Sequence, residues 1–187
     1  MEKKKVVLLG DSIRQIGYGL HVPALLGDEF EVWQPEDNCR FAAYTLRMLC
    51  DYKEHMMGAD VIHWNNGLWD MSDLFGDGPF SSQETYVALL VRIATILKTY
   101  APKVIFATTT VPAPVGVPDH SYERIIDFNK AAIEALEPMG VIINDIFPMV
   151  YGHTDEMICA DKLHLTEEGA KKVAVRVADV IRNAVAE

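Results

Sequence analysis

Short apolar runs alternate along this chain with longer stretches in which apolar residues recur every three or four positions. The runs cover residues 5–9, 30–34, 60–64, 104–109 and 141–144. They are rich in Val and Ile, and two are almost wholly apolar, which predicts strands buried on both faces, as in a parallel sheet. Between them the spacing predicts helices. Residues 38–53 align Phe41, Leu46 and Leu49. Residues 82–100 align Val87, Leu90, Val91, Ala94 and Leu97, and end before Pro102, which cannot continue a helix. Asp119 is the expected N-cap of a helix over 122–136. Thr166 is the expected cap of a last helix running to Ala184, with Val173, Val177, Val180 and Ile181 turned inward. Strands alternating with helices predict an α/β sheet covered on both faces. The 187 residues suit one domain over 1–187, able to build a core without staples.

Two connections are long for such a fold. Residues 65–81 carry Asn, Gly, Trp, Asp and Phe, and residues 110–118, TVPAPVGVP, are proline-rich. Both follow a strand, and the C-terminal edge of an open α/β sheet is where ligands bind. Long loops there are more often functional than decorative.

The net charge of −10 argues against nucleic acid or an anionic membrane surface as the main partner. No apolar run reaches the roughly 18 residues a membrane span requires. The three cysteines, Cys39, Cys50 and Cys159, cannot all pair and form no CxxC, so they read as free thiols in a reducing compartment. With no h-region after the Lys-rich start, the expected location is cytoplasmic. Neither a metal nor a cofactor is expected. His21, His55, His63, His120 and His153 share no HxH or HxxxH spacing, and His63, inside a strand, reads as a hydrogen-bonded core residue.

The first strand runs into Gly10-Asp11-Ser12. A phosphate cradle is disfavoured: neither GxGxxG nor GxxxxGK[ST] follows the strand, and Asp11 would repel phosphate. A plain turn is open to any Gly-Asp-Ser. A nucleophile at Ser12 needs a base, an orienting acid and an oxyanion hole. The far end of the chain offers the first two in ADKLHLTEEG, where Asp161 and His164 stand three residues apart before the last helix. One tight turn folds that carboxylate back onto the imidazole, and in a sheet with a central first strand this loop reaches Ser12.

These blocks, LLGDSI near the start and DKLH near the end, resemble those of the SGNH hydrolases, the GDSL-type esterase and lipase superfamily. The resemblance covers nearly the whole chain. It implies a three-layer α/β/α sandwich with a flavodoxin-like five-stranded parallel sheet, and a catalytic set of Ser12, Asp161 and His164. The middle blocks depart from the family's pattern. Its second block supplies a glycine whose N–H enters the oxyanion hole; here PEDNCRFAAYTL has none, and Cys39 falls at that place, with Arg40 one register away. The third block, usually Gly-x-Asn-Asp, is matched in VIHWNNGLWD by Asn65, with Asn66 or Trp69 as alternatives. The implied oxyanion donors are therefore Ser12, Cys39 and Asn65.

The resulting expectation is a serine esterase acting on a small-molecule ester, with a short, acetyl-like acyl group and a carbohydrate as its alcohol. A lysophospholipase or thioesterase-type acyl hydrolase is the alternative. A binding module that kept the fold and lost the reaction, and a flavin or nucleotide binder, are rivals from other classes. Trp64, Trp69, Phe75 and Phe80 are open between lining a substrate cleft and packing on the sheet edge. Asp11 is expected to hold the nucleophile turn through hydrogen bonds.

Overall fold

A computed structural model describes residues 2–110 and 121–186. Five strands form one sheet: β1 (Lys4–Leu9), β2 (Phe30–Trp33), β3 (Val61–Asn65), β4 (Lys103–Ala107) and β5 (Ile142–Asn144). Their order is β2-β1-β3-β4-β5, and every pairing is parallel. The five apolar runs thus become the five strands, within a residue or two at most ends. The burial follows the order. All five residues of the central β3 are buried, whereas the edge strands β2 and β5 are mostly half-exposed.

Right-handed crossovers decide the layers. The chain moves from β1 outward to β2, then reverses through β3, β4 and β5. The helices Ala42–Asp51, Gln83–Tyr100 and Tyr122–Leu136 therefore pack together on one face, and Val22–Leu26 and Glu167–Ala186 on the other. This is the expected α/β/α sandwich. The reversal puts the ends of β1 and β3 side by side, with Leu9 opposite Trp64, and an α/β sheet opens a ligand crevice at such a reversal.

Two local expectations are corrected, and one open reading is decided. The helix expected over 38–53 begins only at Ala42 and stops at Asp51, with a separate turn at Lys53–Met56. Its first residues are held elsewhere: Arg40 has φ +50°, outside the right-handed helix region, and its N–H donates to Asn38 Oδ1 at 2.7 Å. Ser121, not Asp119, caps Tyr122–Leu136, accepting from the Arg124 N–H at 3.1 Å; Asp119 lies outside the described residues, as does nearly all of the 110–118 loop. Trp64 is wholly buried, 4.9 Å from the Phe106 ring, and belongs to the core. Thr166 does cap the last helix, its Oγ1 accepting from Gly169 N at 3.0 Å. No described helix is long and apolar enough to cross a membrane.

Candidate active site

Ser12 opens a four-residue helix, Ser12–Gln15, directly after β1. Asp11 caps it, accepting from the Ile13 N–H at 2.9 Å. The N–H groups of Arg14 and Gln15 turn back to Asp11 O, and that of Ile16 to Ser12 O. The Ser12 N–H stands at the first helical position, where no preceding carbonyl is in reach.

From the other end of the chain, His164 places Nε2 2.9 Å from Ser12 Oγ. Its Nδ1 lies 2.8 Å from Asp161 Oδ2. Asp161 Oδ1 accepts from the N–H groups of Leu163 and His164, both at 3.0 Å. Burial raises the Asp161 pKa, but the Leu163 N–H and the contacts of His164 outweigh it, so the carboxyl sits below its ordinary range. A carboxylate there fixes the tautomer, with the proton on Nδ1 and the lone pair of Nε2 facing the serine hydroxyl. The turn relies on Lys162 at φ +68°, a left-handed conformation. An isolated bridge between Ile158 and Leu165 closes it, with the Cys159 N–H bonded to His164 O at 2.7 Å and Thr166 N–H to Met157 O at 2.8 Å. The structure thus brings together the three residues that the two end blocks singled out.

The middle blocks behave differently. The Cys39 N–H donates to Gly10 O at 3.0 Å, while Cys39 Sγ accepts from the Gly10 N–H at 3.1 Å. The residue is wholly buried, so its N–H is spent on holding the end of β1 and does not face a substrate oxygen. The Arg40 N–H is likewise committed to Asn38. Asn66 gives its amide to Arg40 O at 2.9 Å and Thr45 Oγ1 at 2.8 Å, which leaves it nothing to offer an oxyanion. Asn65 is buried between two partners. Its Nδ2 donates to Asp11 Oδ1 at 2.9 Å, and its Oδ1 accepts from Tyr18 Oη at 2.8 Å. One amide hydrogen is therefore committed to bracing the turn that carries Ser12. Burial raises the Asp11 pKa, against the lowering bonds from Asn65 and Ile13.

Arg14 and Tyr18 form part of this brace, and the sequence reading passed over both. Arg14 is buried, and its guanidinium donates to Pro35 O at 2.8 Å, Asp37 O at 2.7 Å and Gly10 O at 3.1 Å. The only signal in the sequence is their position within one or two turns of Ser12. Gly10 admits this packing because it has no side chain: a Cβ there would lie 2.0 Å from Asn65 Oδ1 and 2.8 Å from Arg14 Cβ.

Ser12 faces a crevice of about 180 Å³ whose walls are Leu68, Trp69, Ser72, Leu74, Phe80 and Leu163. Trp69 and Phe80 thus line it, and Phe75, four-fifths exposed, packs edge-on against Phe80 outside it. His63 is a core residue, its Nε2 accepting from Asn144 Nδ2 at 3.2 Å, and burial lowers its pKa to about 3. Among the described residues no group of three or more His, Cys, Asp and Glu converges on a point that a metal ion would occupy.

The crevice wall hangs on Asp70. Its carboxyl accepts from the Ala42 N–H at 2.9 and 3.2 Å and from Ser81 Oγ at 3.1 Å, and so ties the short helix Leu68–Met71 to the start of Ala42–Asp51 and to the loop at Ser81. Burial raises its pKa to about 7, more than these bonds lower it. In the unfolded chain the group titrates near its ordinary value of 3.8. Between these two values the folded state holds the extra proton, so this contribution to stability is complete at low pH and is lost as the pH rises through 7. Asp70→Asn removes it. The difference in Tm between wild type and variant is expected to shift steadily against the wild type from pH 4 to 8. A pH-independent difference in thermal melts would refute the assignment.

No family model matches the chain, and comparison with curated protein sequences finds no match. Solved structures do match. A lipase/acylhydrolase from Enterococcus faecalis superposes with a TM-score of 0.75 over 96% of this chain and 96% of that one, at 21% identity. The acetyl xylan esterase AlAXEase gives 0.76 over 95% and 99%, at 18% identity. The inhibitor-bound aryl esterase of M. smegmatis gives 0.72 over 97% and 99%, at 16% identity. The chain has the fold of these proteins, which is the SGNH hydrolase fold.

Proposed function

We propose that this protein is a carboxylic ester hydrolase in which Ser12 is the nucleophile, His164 the general base and acid, and Asp161 the residue that orients His164. The observation that carries the reading is the imidazole bridging Ser12 Oγ and Asp161 Oδ2 at 2.9 and 2.8 Å. Ser12 Oγ bonds to the ester carbon while its proton passes to His164 Nε2. The oxyanion receives the Ser12 N–H and the uncommitted amide hydrogen of Asn65. His164 then returns the proton to the departing alcohol, and water repeats the sequence to free the acid.

An acetyl group carried by a carbohydrate is one form of the substrate, and the fold shared with an acetyl xylan esterase supports it. The apolar crevice favours a second form. Its volume of about 180 Å³ exceeds what an acetyl group fills; a cavity of ~150 Å³ can hold benzene. A butyryl, hexanoyl or benzoyl group suits it better. The test is hydrolysis of the p-nitrophenyl acetate, butyrate and octanoate esters, with fluorophosphonate labelling of wild type and Ser12→Ala. Stoichiometric labelling of wild type alone, with the highest kcat/KM on butyrate, is expected. A best rate on acetate would restore the acetyl reading. Absence of labelling and turnover would leave a binding module.

A further inference from the structure

Arg40 stands at an unusual place. It is an L-residue at φ +50°, exposed, on the segment that packs against the nucleophile strand. A left-handed backbone is unfavourable for a non-glycine residue. Here it is imposed from both sides: the N–H is taken by Asn38 Oδ1 at 2.7 Å, and the carbonyl accepts from Asn66 Nδ2 at 2.9 Å. The preceding residue, Cys39, exchanges two hydrogen bonds with Gly10, two positions before Ser12. The ring of the following residue, Phe41, lies 6.4 Å from that of Trp69, a wall of the crevice. Arg40 is thus held one residue before a ring that meets the crevice wall.

Its guanidinium is also placed. The carbon Cζ sits 4.8 Å from the centroid of the Tyr44 ring. This cation–π contact restrains the group without using its N–H donors. Among the described residues Arg40 makes no ion pair, although the chain carries 27 acidic side chains against 17 basic ones. A held, unpaired guanidinium edge is matched by the two oxygens of a carboxylate or phosphate.

Building on the esterase reading, we infer that Arg40 is a specificity-determining residue that binds an anionic group on the alcohol portion of the substrate. The largely apolar crevice takes the acyl group, since none of the residues lining it carries a charge. The anion therefore belongs to the other side of the ester bond. The substrate class is an ester of an acidic alcohol, its carboxylate or phosphate lying across the Arg40 edge.

The experiment compares meta-carboxyphenyl butyrate with meta-carbamoylphenyl butyrate, which have nearly the same shape but differ in charge. Wild type is expected to favour the carboxylate by about tenfold in kcat/KM, chiefly through KM, as one charge-assisted contact provides. Arg40→Asn, whose side chain tolerates the left-handed backbone, is expected to bring that ratio near one; Arg40→Lys recovers part of it. Salt at about 1 M, where the screening length falls to ~3 Å, lowers the wild-type ratio. Equal rates on both esters, or an unchanged ratio in Arg40→Asn, would overturn the inference. Calorimetric binding of the two esters to Ser12→Ala separates it from the esterase reading. An Arg40-dependent preference there, without turnover by wild type, would keep the anion site and discard the reaction. No preference in either assay would discard the anion site.

Discussion

His164→Ala is expected to lower kcat for ester hydrolysis by about 10⁴-fold while the protein keeps its fold. The loss corresponds to about 5.5 kcal/mol of transition-state stabilisation. It has two sources. Without the imidazole, the proton of Ser12 Oγ has no acceptor at 2.9 Å, and the departing alcohol has no donor. The fold survives because the ring is partly exposed, and the loop is closed by other contacts: the Ile158–Leu165 bridge and the bonds from Cys159 and Thr166. In wild type the same geometry sets the pH profile. His164 must be neutral to accept the serine proton, so kcat/KM falls as acid protonates it. The checks are kcat/KM against pH for wild type and a thermal melt for the variant. A variant with wild-type turnover, or a wild-type kcat/KM that does not fall on acidification, would remove His164 from the mechanism.

Asn65→Ala is expected to damage both stability and rate. The variant leaves the buried Tyr18 hydroxyl without its partner, and leaves Asp11 Oδ1 with the Ile13 N–H alone. An orphaned buried group costs about 1–3 kcal/mol, and a loss in that range is expected. Turnover is expected to fall about 10²–10³-fold, the range for one oxyanion donor. Denaturant unfolding and kcat measured together decide between the roles. A stability loss with near-normal turnover would leave Asn65 as a brace only. Full stability with reduced turnover would contradict the observed bonds to Tyr18 and Asp11.

These two residues show what the sequence makes legible. His164 and Asp161 lie three positions apart, and a single turn joins them, so local spacing carries the geometry. The strands were legible for a similar reason: a parallel strand buried on both faces reads as an unbroken apolar run, and β3 is buried throughout. The brace was not legible, because its parts are distant in the chain. Asn65 meets Tyr18 across 47 residues and Asp11 across 54. Arg14 reads as a solvated charge until the carbonyls of Pro35 and Asp37 are brought to it. Cys39 misled for a chemical reason. Any residue there has an N–H to offer, but its sulfur accepts the Gly10 N–H while its own N–H answers the Gly10 carbonyl. The start of the helix at Ala42 was displaced by the same contacts.

The contact between Ser12 and His164 spans 152 residues. During synthesis β1 leaves the ribosome well before the loop that carries His164, which follows only just ahead of the last helix. Contacts so far apart in sequence form late, because the whole intervening chain must be ordered before they are rewarded. A nascent chain can therefore pair β1 with β2 and β3 and still lack the bridge. Recovery of fluorophosphonate labelling during refolding would mark the docking of Glu167–Ala186 against the sheet, and with it completion of the domain.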